Sequence, residues 1–431
     1  MRHPAEDPGR RDQEGHRSPG TVRHAPGRAA QQGCRIRASE AAAAVAEGPV
    51  FNKPTGTVAE QQAIRNQLLT YVNTAAPGSD IKVAMYHLWD EEVAQALADA
   101  HTARGVDVQV MLDNTSSTSA TDTSYGILTN ALGTDRSQAS FVGTYPAKQS
   151  CLGDPDVLSS NGLNHNKSWL FSQVDGASDL VVQSSSNMSP STYSRMWNNA
   201  FVLPFNVPMY TAYANYFGKL KAMDWQNWSY STTTSSPFKV YFFPYPGSGN
   251  TQDSIWNVLD NVTCQYTSGG VSKQTKVRVA VLKLTRQGVA DKLTALQKAG
   301  CSVDVVYAET DSAASTGTPG TWEALHAAGG PAVRCYNWDE DSDPGTTNSV
   351  IHSKYLLIDG MYDGAVNKVL WTGSHNYSGP SLRENDEALL KVDNSAYHDA
   401  YVANFNAVKA AAVPGTADTT DACKGVTKTA D

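Results

Sequence analysis

The sequence predicts an α/β protein built from two homologous halves, each a mixed, mostly parallel sheet flanked by helices, packed about a pseudo-twofold axis. Three observations carry this. A strand–helix–Gly–strand pattern occurs twice, in residues 81–114 and 276–310. A His-x-Lys pair occurs twice, as His165/Lys167 and His352/Lys354. A Ser-x-Asn triplet follows each pair about twenty residues later, as Ser185/Asn187 and Ser374/Asn376. The offsets agree: 187 residues separate the two His and 189 separate the two Asn. Self-similarity at a fixed offset is the mark of a repeated structural unit.

The elements follow in order. Residues 81–86 read as a strand, 91–103 as an amphipathic helix capped by Gly105, and 106–112 as a second strand. In the second copy the same elements fall at 277–282, 287–298, Gly300 and 302–307. A βαβ unit favours parallel strands and a right-handed crossover. Long polar loops are expected at 114–150 and 310–320, as flexible insertions or substrate-binding rims. The aromatic, Ser/Thr- and Pro-rich stretch 225–248 reads as the boundary between halves. The expected organisation is a leader at 1–46, a first half at 47–236, a second at 237–412 and a polar tail at 413–431.

At 431 residues the chain is too long for one ordinary core. Forty per cent hydrophobic and 18% charged residues place it among globular proteins, and no apolar run approaches the 18 residues of a membrane span. The net charge is −8; the first fifty residues, with eight Arg and six Asp plus Glu, contribute +2, leaving −10 for the rest. That acidity argues against a broad nucleic-acid surface.

The leader reads as disordered. At its end Ala44-Val45-Ala46 fits the small-x-small pattern of a signal-peptidase site, though no apolar h-region precedes it. A secreted protein beginning near Glu47, or an ordinary disordered tail, both satisfy this pattern. None of the six Cys forms a CxxC or Cys/His metal pattern, so no metal site is expected. Cys264–Cys301 is the expected disulfide, with buried thiols as the alternative.

Two sets of imidazole, ammonium and amide suit a phosphodiester held from both sides. His and Lys two apart on a strand share one face. One imidazole can attack phosphorus, the other can serve as acid and then base, and the Lys, Ser and Asn groups can hold the non-bridging oxygens. The two Lys supply the positive charge, so no metal or other cofactor is required.

These residues resemble the phospholipase D superfamily, marked by a duplicated HxKxxxxD motif with a downstream GSxN. The second copy matches in full, with His352, Lys354, Asp359 and Gly373-Ser374-His375-Asn376. The first departs: Ser172 stands at the Asp position and Ser184 at the Gly position. The resemblance covers about 47–412 and implies a phosphohistidine on the N-terminal His. It also implies an acidic residue after GSxN that orients the His of its own half. Glu387 fits that place for His352 and Asn199 for His165. The expectation is therefore a protonated His352 as general acid and a neutral His165 as nucleophile. Asp359 is expected to anchor an Asp359-Gly360 turn.

Other residues invite weaker readings. His87, Asp113 and Glu309 sit near strand ends as rim or structural groups. Trp169, Trp197, Trp371, Tyr355 and Tyr377 line a lipid groove or pack the core. Arg195 and Arg383 follow the two Asn at eight and seven residues and contact phosphate or solvent. The implied function is a secreted phospholipase D, hydrolysing or transphosphatidylating a head group during transient contact with a membrane surface. No obligate protein partner is implied, since one chain holds both motifs. An endonuclease on the same scaffold, or a phosphate- or lipid-binding protein with a decayed first half, are the alternatives.

Overall fold

The computed structural model describes residues 45–155, 162–338 and 347–414, all within one compact unit. The leader up to Ala44 and the tail after Pro414 lie outside the described residues. No described helix is long and apolar enough to cross a membrane.

Two sheets repeat one strand order. The first runs Gly48–Phe51, Asn199–Leu203, Ala177–Ser184, Lys167–Val174, Asp80–Met85, Asp107–Leu112, Phe141–Thr144. The second runs Phe238–Phe242, Ala388–Val392, Ala365–Gly373, Lys354–Tyr362, Lys276–Leu284, Ser302–Thr310, Ala332–Cys335. It is extended at its edges by Ser231–Ser235 and Val413–Pro414. The expected tail therefore opens with an edge strand, and the expected boundary after residue 236 falls inside the turn of a hairpin belonging to the second sheet.

The βαβ units form as the pattern predicts. The helix Glu91–Arg104 starts at Asp90, whose side chain accepts from Val93 N, and ends at Gly105 in the left-handed region, φ 68°. The helix Gln287–Lys298 occupies the predicted span. Within the two large sheets, parallel strand pairing among the described residues is confined to these units and the strand beyond each. The motif strands run antiparallel, because turns as short as Asp175-Gly176 allow only a hairpin. The sheets are thus mixed, and the expectation of mostly parallel strands is corrected. Loop 114–150 is also more structured than expected, holding the helix Ser124–Leu132 and the strand Phe141–Thr144.

Three apolar cores result. One lies between the first sheet and its helices, around Leu68, Val83, Leu97 and Val108. Its counterpart in the second half surrounds Val279, Leu293 and Val305. The largest lies between the sheets and draws on both, with Phe201, Tyr213, Val240, Leu357, Leu390 and Phe405. Neither half keeps its inner face covered without the other. Cys264 and Cys301 form the expected disulfide.

Candidate functional site

Each His sits just ahead of a central motif strand, and each Lys is that strand's first residue, in Lys167–Val174 and Lys354–Tyr362. The halves then exchange backbone. Asn164 bridges Asp386 in parallel, and His165 N donates to Asp386 O at 3.1 Å. Ile351 pairs with Trp197, and His352 N donates to Trp197 O at 2.9 Å. Each His is thereby laid against the segment after the other half's Ser-x-Asn. Both His and both Lys are buried.

The side chains repeat the exchange. His165 Nδ1 donates to Glu387 Oε1 at 2.8 Å, and Asn385 Nδ2 approaches the same oxygen at 3.5 Å. His352 Nδ1 lies 2.8 Å from Asn198 Oδ1. Two expectations are corrected here. Glu387 orients the His of the opposite half, and the partner of His352 is Asn198, one residue from the expected Asn199. Adjacent residues on a strand face opposite ways, so a slip of one moves the side chain off the site. Asn199 Nδ2 instead reaches into the central core, donating to Thr372 Oγ1 at 2.6 Å and Tyr401 OH at 3.0 Å. The missed residue had a signal: Glu387 lies eleven residues after Asn376, and Asn198 lies eleven after Asn187.

The serines brace these partners. Ser185 Oγ donates to Asn198 Oδ1 at 2.9 Å and accepts from Asn199 N at 3.0 Å. Ser374 Oγ accepts from Ala388 N at 3.2 Å. Gly373 is required beside it, because a Cβ there would lie 2.1 Å from Ala388 O. Asn187 and Asn376 are buried, and Asn376 Oδ1 accepts from Lys283 N at 3.3 Å. Lys354 Nζ lies 3.2 Å from His352 Nε2 and 3.3 Å from its Nδ1, whereas Lys167 Nζ donates to His165 O at 3.1 Å. The Lys167 ammonium also sits 5.1 Å over the Tyr86 ring, itself 5.2 Å from the His165 ring. Tyr86 was not singled out by the sequence, since an aromatic at a strand end carries no distinguishing pattern.

Around His165 lie further buried carboxyls. Asp113 Oδ2 accepts from Asn164 N at 3.0 Å, and burial pushes its carboxyl up from the usual range. Asp386 accepts from Cys151 N at 2.6 Å and Leu152 N at 3.0 Å. Burial pushes the Asp386 carboxyl up to about 8 in spite of these bonds. Burial, reinforced by Arg286, holds His375 well below the usual imidazole range, so it stays neutral.

The remaining predicted residues take structural places. Asp359 is mid-strand, paired with Lys276 and Lys368, and no turn occurs there; the chain turns at Asp363-Gly364. Ser172 Oγ accepts from Asp80 N at 2.7 Å at the matching place. Arg383 binds the carbonyls of Tyr245 and Gln252 at 2.6 and 2.7 Å, and Arg195 binds Thr347 O at 3.2 Å. Glu309 pairs with Lys283 at 3.2 Å, and His87 stacks between Tyr86 and Trp89. The five flanking aromatics are buried in the core.

Two duplicated His-x-Lys motifs on a doubled mixed sheet define a phospholipase D-like protein. The family model for the PLD-like domain of cardiolipin synthase matches residues 68–221 and 271–409, and the chain belongs to that family. No curated protein sequence matches it. Among solved structures it is similar to the phosphatidylserine synthase of Haemophilus influenzae. That pair is 14% identical with a TM-score of 0.53, over 84% of this chain and 87% of that one. It is also similar to the polyphosphate kinase of Porphyromonas gingivalis, 11% identical with a TM-score of 0.52. There 84% of this chain covers 50% of that one, so it spans half the length of that relative. Likeness at such identity shows the fold alone.

Proposed function

We propose that this protein is a metal-independent phosphodiesterase of the phospholipase D type, acting on phospholipids through a phosphohistidine on His165. The cross-half bond from His165 Nδ1 to Glu387 carries the reading. A carboxylate can only accept, so it holds the proton on Nδ1 and leaves the lone pair on Nε2, the nitrogen that attacks. A buried carboxylate also stabilises the cationic phosphohistidine as it forms. Lys167 and Lys354 offset charge on the non-bridging oxygens, which is the work a metal would otherwise do. His352 gives its proton to the head-group oxygen as the bond from phosphorus breaks, and then takes one from the incoming water or alcohol. Membership of a family described by a lipid-synthesising enzyme supports a lipid diester, as does the acidic balance of the chain. The disulfide supports secretion into an oxidising compartment.

The test is phosphatidate release from mixed phospholipid vesicles in EDTA, with single-stranded DNA as the parallel substrate. The reading expects phosphatidate from the wild type and none from His165→Ala or His352→Ala. DNA cleavage without phosphatidate would overturn the lipid assignment.

A further inference from the structure

We propose that Asp386 is a positioning residue for the reaction: its side chain seats the second-half segment that carries Glu387, and so sets the geometry of the Glu387–His165 pair. The inference rests on the two-histidine reading above and names a residue that reading does not use.

Residues 384–387 are held by two stretches of the first half. The first is 150–152. Ser150 Oγ donates to Glu384 O at 2.5 Å, Cys151 N to Asp386 Oδ2 at 2.6 Å and Leu152 N to Asp386 Oδ1 at 3.0 Å. The second is 163–165. Leu163 N donates to Asn385 Oδ1 at 3.1 Å, Asp386 N donates to Leu163 O at 2.9 Å, and His165 N donates to Asp386 O at 3.1 Å. Asp386 is fully buried and is the residue common to both stretches. Its main chain fixes the backbone of His165, and both its side-chain oxygens are engaged by consecutive N–H groups. The next residue, Glu387, reaches His165 Nδ1 at 2.8 Å. The other half makes the same main-chain bond without the side-chain one. There His352 N donates to Trp197 O at 2.9 Å, and Trp197 precedes Asn198 as Asp386 precedes Glu387. The carboxyl anchor thus belongs to the copy that holds the nucleophile.

The consequence is geometric. His165 attacks through Nε2, so its ring must be aimed, and two bonds aim it: His165 N to Asp386 O, and Nδ1 to Glu387. Both acceptors sit on the segment that Asp386 seats. Removing the carboxyl leaves Cys151 N and Leu152 N without their acceptor in a buried place, and the segment shifts to relieve them. A displacement of about 1 Å at a reacting group is enough to cost about 10²-fold in rate. Asp386 acts on the reaction through Glu387 and His165, and its effect depends on that pair being present.

The experiment compares Asp386→Ala and Asp386→Asn with wild type in the full chain at pH 7, each alone and combined with Glu387→Gln. Burial pushes the Asp386 carboxyl up to about 8, so at pH 7 the Asn side chain matches its charge and keeps one acceptor. Two quantities are read: the downfield proton resonance of His165 Nδ1–H, assigned by its loss in His165→Ala, and kcat and KM on mixed phospholipid vesicles. Asp386→Ala is expected to shift or abolish the resonance and to lower kcat about 10²-fold, with KM changed less than about threefold. Asp386→Asn is expected to shift the resonance less and to recover kcat to within about tenfold of wild type. On the Glu387→Gln background Asp386→Ala is expected to cost less than about threefold more, because the pair it positions is already broken. A folded Asp386→Ala with unchanged resonance and kcat would overturn the inference. So would a loss that repeats in full on Glu387→Gln, which is what a purely structural lesion gives. Folding is checked by thermal melting; if Asp386→Ala does not fold, Asp386→Asn decides, and a resonance identical to wild type overturns the inference. A wild type that turns over no diester would defeat the proposed function, while the resonance still decides whether Asp386 positions His165.

Discussion

Glu387 of the second half holds His165 of the first, with 2.8 Å between Oε1 and Nδ1 across 222 residues of sequence. The other histidine is held the same way from the opposite half, but by the amide of Asn198. One scaffold thus holds two imidazoles in unlike settings, one against a carboxylate and one against an amide.

Replacing Glu387 by Gln keeps the shape and removes the charge that fixes the His165 tautomer. Turnover is expected to fall roughly 10²- to 10⁴-fold, with a melting temperature near that of the wild type. Steady-state kinetics beside a thermal melt check this. A change under threefold would mean that His165 does not depend on its carboxylate.

Asp359 stands in the family motif, yet it is partly exposed on a strand, and its nearest cation, Lys276, lies 4.0 Å away. Serine already occupies the matching place in the first half. Asp359→Ser is therefore expected to alter kcat by less than about threefold and stability by under about 1 kcal/mol. A hundredfold loss of activity in the folded variant would show a role in the site.

The raised Asp386 carboxyl predicts a pH-dependent stability. Its folded value of about 8 lies above the roughly 3.9 of an unfolded carboxyl. The folded chain thus holds this proton more tightly than the unfolded chain does. The stabilisation is fully present below about pH 4 and is lost progressively as pH rises to about 8. Asp386→Asn does not titrate, and it also gives up one of the acceptors facing Cys151 N and Leu152 N. The stability advantage of the wild type over this variant should shrink between pH 5 and pH 9. Denaturant unfolding at both values would show it, and a constant difference would mean that Asp386 is ionised throughout.

The Cys264–Cys301 bond closes a separation of 37 residues. A loop of that length corresponds to about 3–4 kcal/mol of stabilisation in the chain-entropy account. Cys264→Ala with Cys301→Ala should lose roughly that amount in equilibrium unfolding while keeping kcat. An unchanged midpoint would place the stabilisation elsewhere.

Much of this architecture was legible because periodicity and punctuation are local. The helix Gln287–Lys298 and the cap at Gly105 follow from apolar spacing and a left-handed glycine, without tertiary context. The site residues His165, Lys167, His352 and Lys354 followed from repetition. What failed was relational. No local pattern says that the segment around Glu387 lies against His165, because the central core that joins the halves is formed by residues far apart in sequence. Asn199 is the expected counterpart of Glu387, but a second amide stands beside it at Asn198. The eleven-residue spacing from Asn187 and Asn376 points to Asn198. The strand Phe141–Thr144 was missed because four residues at a sheet edge in a Ser/Thr-rich loop give too short a pattern.

The most direct measurement traps the covalent intermediate. A phosphodiester labelled at phosphorus is mixed with the full chain, quenched within the first turnover, and the label mapped by peptide mass spectrometry. The account predicts phosphoryl transfer to His165, absent in His165→Ala and accumulating in His352→Ala, where the base for the second step is gone. Label on His352, or turnover with no labelled histidine, would contradict it.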